Sequence, residues 1–395
     1  MTGSPKVTSK RATLREIGAW PVFSVFFLEA FVLGNWIPRI PDVKADFGFS
    51  ASQLGLALFA LSFGTLFAFL TAGWIVGRLG LRRANMVALS FWAIFVGLAP
   101  AMPSGLVLGV VLLGAGFSVG LQEVAMNTAA EEVTQSSGVQ IMSRSHGFWS
   151  LGSLAGALVG TAFAWSGFST AGHFAIVMPL TAIAGLCSSM YIDNSIRETS
   201  SEETGGAAKI VLPNRAILML CLLPVGIMLV EGAFIDWSAV FVRTVLDGGP
   251  IAVGFVYAAF SAVMAATRLS GDYLVIRYGA LRIARISALA ATLGIVLFSF
   301  APNIPIAFLA ALISGLGVAI VYPLCVTAVA RRPGKAEDNV AAISLFGFTA
   351  FMFAPPIIGF LADWIGLKYA LFLIAPFAAT SYLLSAELEK GGEAQ

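Results

Sequence analysis

The chain has 395 residues, of which 58% are hydrophobic and only 11% are charged. Soluble globular proteins carry about 25% charged residues. A water-surrounded core of this size cannot take up so many apolar side chains, so lipid is the expected solvent. This composition excludes an ordinary cytosolic enzyme, a secreted disulfide scaffold and a disordered chain. The net charge of +2, without a large basic patch, also argues against a nucleic-acid partner.

The amino-terminal region indicates a first membrane helix and not a cleavable signal. A polar, basic stretch from Met1 to Gly18 leads into an apolar run from Trp20 to Pro38. That run is too long for the core of a signal peptide and lacks a small-residue cleavage pattern. We therefore expect the tail to stay in the cytoplasm.

Turn residues and charges divide the whole chain into twelve apolar segments, each close to the ~20 residues that cross a bilayer as a helix. The sequence thus predicts an all-α integral membrane protein. The predicted spans are 18–39, 51–77, 84–101, 105–129, 142–165, 171–192, 214–241, 250–276, 283–300, 305–329, 339–362 and 368–387.

The distribution of basic residues supports an even number of spans. With both termini placed in the cytoplasm, eighteen of the 23 Lys and Arg residues fall on the inside and one, Arg268, falls within a span. The remaining four are outside, namely Arg39, Lys44, Arg243 and Lys368. This asymmetry is the one that the positive-inside rule describes, so we expect a multi-pass protein with both termini cytoplasmic.

The longest hydrophilic stretch, 193–213, bisects the chain and reads as a flexible cytoplasmic linker. It separates a predicted amino-terminal six-helix bundle, 1–192, from a carboxy-terminal one, 214–395.

The two halves match each other at an offset of about 200 residues, which indicates a duplicated six-helix unit. The matching pairs are Gly55 with Gly254, Ser62 with Ser261, Arg78 with Arg277, Gly80 with Gly279, Arg83 with Arg282, Gly147 with Gly347, Trp165 with Trp364 and Glu29 with Glu231. Two such repeats are a known arrangement for alternating access, with the solute bound between the halves near the middle of the membrane.

The loop after the second span resembles the cytoplasmic loop motif of the major facilitator superfamily, usually written G-x-x-x-D-R-x-G-R-[KR]-[KR]. Residues 73–83 fit it at Gly73, Arg78, Gly80, Arg82 and Arg83, but Gly77 replaces the usual acid. A degenerate second copy starts at Gly271-Asp272. The resemblance covers the whole chain and implies a transporter with twelve helices in two pseudo-symmetric bundles.

Five further segments are similar to the YbjJ-type bacterial inner-membrane branch of that superfamily, near fucose permease. They are 36–43, 52–55, 123–127, 146–152 and 231–238. This likeness implies a location in the inner membrane.

Acids within the spans are the candidates for proton coupling. A charge at the bilayer centre costs about 2.5–3.5 kcal/mol on insertion scales, so such an acid must face the protein interior, pair, or take up a proton. Glu29 and Glu231 hold matching positions in the first span of each half, and Glu123 lies in span four. The alternative for each is a structural acid that is hydrogen-bonded to a neighbouring helix.

The candidate solute contacts combine indole rings with amides or acids, which suit a ring-shaped polar solute such as a sugar. They are Asn35, Trp36, Asn127, Trp149, Asp236 and Trp237. The alternative for the tryptophans is the aromatic belt at the membrane surface.

Charged residues near the helix ends are the gating candidates: Arg78, Arg144, His146, Arg268 and Asp272. Arg268 and Asp272 are four residues apart in span eight, and this spacing predicts an ion pair between them. A glycine series, Gly152, Gly156 and Gly160, predicts close helix packing in span five.

The sequence therefore predicts a secondary active transporter, not an enzyme, that moves a small polar solute by alternating access, with proton symport favoured. Two alternatives stay open: a proton antiporter that exports amphipathic or cationic compounds, and a non-transporting receptor or scaffold on the same fold. The three cysteines and two histidines lack metal-site spacing, so no metal or cofactor is expected. The expected partners are the solute, protons and the lipid bilayer, with the protein a monomer.

Overall fold

The computed structural model describes Leu14, residues 17–193, Pro213, Arg215 and residues 217–390. Within these residues, twelve helical segments are long and apolar enough to cross a membrane, which confirms the predicted number. Numbered in chain order, spans 1 to 12 are Ala19–Asp46, Ala51–Leu79, Leu81–Ala101, Gly105–Ser137, Met142–Trp165, Thr170–Ser189, Leu218–Thr244, Pro250–Leu269, Ala280–Ser299, Ile304–Ala330, Asp338–Ile365 and Leu367–Leu388. The predicted linker lies, apart from its ends, outside the described residues.

An even number of spans puts the start of span 1 and the end of span 12 on one side of the bundle, which we call the terminal face. The opposite side is called the far face. Four of the even-numbered spans begin at the far face with a side-chain cap, in which a Ser or Asn oxygen accepts a backbone N–H of the first turn. The capping residues are Ser50, Ser104, Ser169 and Asn303.

The same tight turn recurs in the two halves at the terminal face. Gly80 separates spans 2 and 3 with φ 77° and ψ 158°, and Gly279 precedes span 9 with φ 84° and ψ 149°. These angles lie in a region that side chains exclude. The matched pair of turns is direct structural evidence of the duplicated unit.

Helix packing repeats in the same way. A Cβ on Gly116 would lie 1.7 Å from the backbone oxygen of Leu61, and a Cβ on Gly315 would lie 2.4 Å from the backbone oxygen of Phe260. Both residues of the second contact are 199 positions after those of the first. Spans 2 and 4 therefore pack as spans 8 and 10 do, and the fold consists of two pseudo-symmetric bundles.

The predicted glycine series of span 5 packs against span 1. Cβ atoms at Gly152 and Gly156 would lie 2.0 and 2.3 Å from the backbone oxygens of Phe27 and Phe31. The two backbones therefore approach each other closely along the middle of the membrane, which confirms the packing interpretation of this motif.

Several spans are broken near a proline, whereas the sequence predicted unbroken segments. Span 1 contains a 3-10 turn at Ile37–Arg39, which includes Pro38. Span 10 consists of two helices, Ile304–Val318 and Val321–Ala330. Proline has no backbone N–H to donate to the carbonyl four residues earlier, so Pro323 leaves the carbonyl of Ala319 without its helical partner.

Spans 7 and 12 and the end of span 8 are interrupted as well. Span 7 comprises Leu218–Leu222 and Val225–Thr244, and span 12 comprises Leu367–Phe372, Ala375–Leu384 and a 3-10 turn at Ser385–Leu388. Span 8 is followed, after Ser270, by a separate helix, Gly271–Tyr278.

We predict that Gly116→Ala destabilises the amino-terminal bundle, because the new methyl group would collide with a backbone oxygen that cannot move aside. Overpacking of this kind costs about 1–3 kcal/mol, so the melting temperature in detergent should fall by about 3 °C or more. Gly109→Ala is the matched control on the same span, because a Cβ there meets no atom within 4 Å. Equal melting temperatures for the two variants would contradict the packing.

Candidate functional site

A buried carboxylate lies at the middle of span 1. Glu29 is only 2% exposed, and its Oε2 accepts a hydrogen bond of 2.5 Å from the indole nitrogen of Trp149. Trp92 donates to the backbone oxygen of Glu29 at 3.1 Å. The glycine packing of spans 1 and 5 brings Trp149 to this acid, so two of the predicted site residues form one unit.

A second acid from span 4 lies close to the first. Asn127 donates to Oε2 of Glu123 at 3.0 Å and to its backbone oxygen at 2.8 Å. Glu123 lies near enough to Glu29 for their charges to repel each other. No Lys, Arg or His nitrogen in the described part of the chain lies within 4 Å of either carboxylate.

The acid of span 7, in contrast, has a cationic partner. Arg268 donates through Nη2 to Oε1 of Glu231 at 2.9 Å. Its Nε lies 3.4 Å from the carbonyl oxygen of Ala319, the carbonyl that Pro323 leaves unpaired. The break in span 10 therefore helps to position the arginine.

The predicted Arg268–Asp272 ion pair is wrong. Asp272 is exposed, and Arg268 turns towards Glu231 instead. The physical reason is the interruption at Ser270, which ends the helix between the two residues and removes the i, i+4 relationship.

One hydrogen bond and one longer-range electrostatic interaction link the halves near these acids. Ser153 Oγ and Tyr257 Oη lie 3.0 Å apart as a buried hydrogen-bonded pair. His146, partly buried against the edge of Phe26, lies within electrostatic range of Arg268. Sequence reasoning missed Ser153 and Tyr257, because a serine in a glycine series and a tyrosine in an apolar span carry no distinctive pattern.

Asp236 is a further buried acid of span 7. It is 9% exposed, lies in electrostatic range of Tyr257, and makes no hydrogen bond or ion pair with any described residue. The neighbouring Trp237 is fully buried, and its indole nitrogen has no partner among the described residues.

Asn35 and Trp36 take part in helix packing. The Asn35 amide donates to the carbonyl oxygen of Phe31 at 2.8 Å, and its Oδ1 lies 3.0 Å from Nε2 of His173. Trp36 is 2% exposed and packs against Phe174. The protein itself occupies the amide of Asn35 and the ring of Trp36, so neither side chain is available to a solute.

Two of the other gating candidates are exposed at the terminal face and lie apart from the buried cluster. The guanidinium of Arg78 is 4.2 Å from the ring centre of Trp74 on the same span. Arg144 is exposed at the start of span 5. Gly77, where the superfamily motif usually has an acid, faces open space.

An aspartate that the sequence analysis did not single out joins the two halves at the far face. Asp363, near the end of span 11, accepts the backbone N–H groups of Ala51 and Ser52 through its two carboxylate oxygens, each at 2.9 Å. These are free N–H groups of the first turn of span 2, where a carboxylate is stabilised by the helix dipole. The only sequence signal was an acid at the end of an apolar segment.

Further contacts join the halves at the same face. Arg243 of span 7 pairs with Asp42 at 3.4 Å, and Arg39 lies 3.1 Å from the second oxygen of Asp42. A Cβ on Gly55 would lie 2.5 Å from the carbonyl oxygen of Pro355. Charged and close-packed contacts thus hold the two halves together at the far face.

Comparison with known proteins identifies the family. A family model described as Major Facilitator Superfamily matches residues 22–349. The chain belongs to the major facilitator superfamily. It is 31% identical over 372 residues to an uncharacterized transporter, y4wD, of Sinorhizobium fredii, with 92% of this chain and 96% of that protein covered. It is 27% identical to the membrane protein MosC of Rhizobium meliloti, with 88% and 84% covered.

Solved structures share the fold of this superfamily member. A point mutant of the nucleoside transporter NupG superposes with a TM-score of 0.75 at 13% identity, covering 94% of this chain and 99% of that one. A point mutant of the Escherichia coli fucose:proton symporter FucP gives a TM-score of 0.63 at 17% identity, covering 93% and 97%. The protein is thus a multi-pass membrane transporter with the major facilitator fold.

We predict that Glu231 and Arg268 are energetically coupled. Arg268→Gln should destabilise the protein, because it leaves a largely buried carboxylate without its cation, and the additional change Glu231→Gln should restore part of the loss. A double-mutant cycle from thermal or denaturant unfolding should give a coupling energy of about 0.5–3 kcal/mol.

The matched control is a second double-mutant cycle, in which Arg268→Gln is combined with Asp272→Asn at an exposed acid. A coupling with Asp272 as large as that with Glu231 would show that the ion pair is assigned to the wrong acid.

Proposed function

We propose that the protein is a proton-coupled symporter that moves a small polar solute by alternating access. The observation that carries this proposal is the asymmetry between the central acids: Glu231 has a guanidinium partner, whereas Glu29 and Glu123 lie together without one. Two neighbouring carboxylates, one buried and one half-buried, cannot both be ionised cheaply. We assign them a shared proton, which is taken up and released as the site opens alternately to the two sides of the membrane.

The proposed orientation of the protein in the membrane follows from the positions of its basic residues. The terminal face is the cytoplasmic side of a bacterial inner membrane under the positive-inside rule, with 1–192 and 214–395 as the two rocking units and 193–213 as their linker. Contacts of Asp363 and of the Asp42–Arg243 pair close the far face, so the described conformation is the one in which the solute would exchange with the cytoplasm.

The proposed solute contacts lie beside the acids. Trp149 and Asn127 offer a partly exposed ring face and an amide next to Glu29 and Glu123. Asp236 adds a carboxylate that has no described partner and can accept hydrogen bonds from solute hydroxyl groups. This set suits a hydroxyl-rich ring, and the family neighbour FucP is described as a fucose:proton symporter.

A cationic solute exported by proton antiport is the second candidate, because the same unpaired acids would bind a cation. We further propose that the protein works as a monomer, because the two halves of one chain meet at the central site through Ser153 and Tyr257.

We predict that Glu29→Gln and Glu123→Gln each abolish proton-driven solute uptake in proteoliposomes, because an amide cannot carry the proton. The solute is first selected by its effect on the melting temperature, from a panel of fucose, other monosaccharides, nucleosides and cationic dyes. Entrapped pyranine then reports proton movement when that compound is added under an imposed pH gradient. Exchange of labelled solute without a gradient should persist in both variants.

Glu131→Gln is the matched control. Glu131 is an exposed acid near the end of span 4, so its substitution should leave uptake unchanged. Proton movement opposite in direction to the solute would favour antiport. If both central variants kept the wild-type coupling, the proton would have to be carried elsewhere.

We predict that Asp363→Asn opens the far face more often, because an amide binds the first turn of span 2 more weakly than a carboxylate does. Nitroxide labels on cysteines introduced at Lys44 and Val245 would report the separation of the two halves by double electron–electron resonance. The exposed Cys187 is replaced beforehand so that it takes up no label. The matched control is Asp338→Asn, at the other end of span 11. Identical distance distributions for both variants would refute a role of Asp363 in closure.

A further inference from the structure

A groove that the transport proposal does not use lies between spans 8, 9 and 10 near the terminal face. It encloses about 300 Å³ and is walled mainly by leucine and isoleucine side chains. Thr267 and Ser287 contribute hydroxyl groups, and Arg282, exposed at the start of span 9, contributes a guanidinium. The groove therefore has an apolar body with a cationic end.

The polar groups of this groove are not used by the protein. Within the described residues, the side chains of Thr267, Arg282 and Ser287 make no hydrogen bond or ion pair, although Ser287 is 3% exposed. A buried hydroxyl in a membrane helix ordinarily bonds to a backbone carbonyl. The buried Ser287 and the half-buried Thr267 therefore leave two hydroxyl groups available to a ligand beside the exposed Arg282.

The duplicated unit provides an internal comparison. At the offset of 199 residues, the first half has Ala68, Ala88 and Leu121 in place of Thr267, Ser287 and Ile320, while Arg83 corresponds to Arg282. There the site is filled by a packed cluster that consists of Ala72, Val76, Ala84, Ala88, Leu121 and Ala125. One copy is a closed core, and the other is a groove with polar groups.

The difference between the copies coincides with breaks in the helices. Span 2 runs unbroken through Ala51–Leu79, whereas span 8 ends at Leu269 and a new helix begins at Gly271. Span 4 is continuous, whereas span 10 is broken next to Ile320, which lines the groove. The groove is thus built by the same interruptions that position Arg268.

The groove opens towards the lipid. Its outer wall includes Tyr278, Ile286 and Leu316, which are between 41% and 47% exposed on the apolar surface of the bundle. The guanidinium of Arg277 lies 5.8 Å from the ring centre of Tyr278, which lines the groove, and adds positive charge at this end. An apolar channel with a cationic mouth matches an acyl chain joined to a phosphodiester.

We propose that this groove binds one anionic phospholipid, with an acyl chain along its apolar wall and the phosphate at Arg282. The hydroxyls of Thr267 and Ser287 would bond to the ester region. Thr267 is followed directly by Arg268 in span 8, so the bound lipid would contact the residue next to the Arg268–Glu231 ion pair.

Native mass spectrometry of the full chain, stripped of lipid in detergent, tests the proposal. We expect one phosphatidylglycerol to bind per molecule. Phosphatidylcholine keeps the phosphate but carries a trimethylammonium group that cancels its net charge and is repelled by the arginines, so it should bind about tenfold more weakly. Arg282→Gln should weaken phosphatidylglycerol binding by about tenfold, whereas Arg83→Gln, the same change at the equivalent position of the first half, should not. Ser287→Leu, which fills the groove and keeps the arginine, should also weaken binding.

Three results would overturn the proposal. The first is wild-type binding by Arg282→Gln. The second is an equal loss in Arg282→Gln and Arg83→Gln, which would indicate diffuse surface charge. The third is displacement of the lipid by inorganic phosphate or glycerol phosphate, which would indicate a site for free anions. The melting temperature of each variant without lipid shows that it is folded.

Discussion

The cost of placing a carboxylate in a medium without water constrains the whole arrangement. The first spans of the two halves carry such acids at matching positions, Glu29 and Glu231, and the structure accommodates them differently. Glu29 accepts an indole N–H and lies near a second acid, whereas Glu231 is matched by a guanidinium. Spans 5 and 8, which supply these partners, are the same spans that join the halves through Ser153 and Tyr257. The accommodation of buried charge and the contact between halves are therefore parts of one network.

Sequence reasoning predicted the architecture because lipid requires long apolar helices, and because a duplicated unit repeats its turns and close contacts. Glycine positions such as Gly116 and Gly315 have the same packing role in both halves. The acids Glu29, Glu123 and Glu231 could be singled out from the sequence because a charge within an apolar segment is costly and therefore indicates a function or a partner.

What the sequence could not provide is the identity of the partners. Arg268 and Asp272 have ideal helical spacing, yet an interruption between them sends the arginine to another span. Asn35 and Trp36 resemble solute-binding residues in composition, but His173 and Phe174 occupy them. Asp363 contacts a helix more than 300 residues away, and no local pattern indicates such a contact. Breaks in helices and long-range pairs depend on tertiary packing, which hydropathy and periodicity do not describe.

Duplication also allows the two halves to diverge in detail while the scaffold is kept. The proline at position 323 is an example, because it frees the Ala319 carbonyl and the Arg268 side chain takes the place of the missing amide. A side chain thereby completes a stretch of main chain in a neighbouring helix. A rearrangement that moves the whole arginine side chain away from spans 7 and 10 leaves both the Glu231 carboxylate and the Ala319 carbonyl without their donor, so the charge of one helix and the main-chain bonding of another change together.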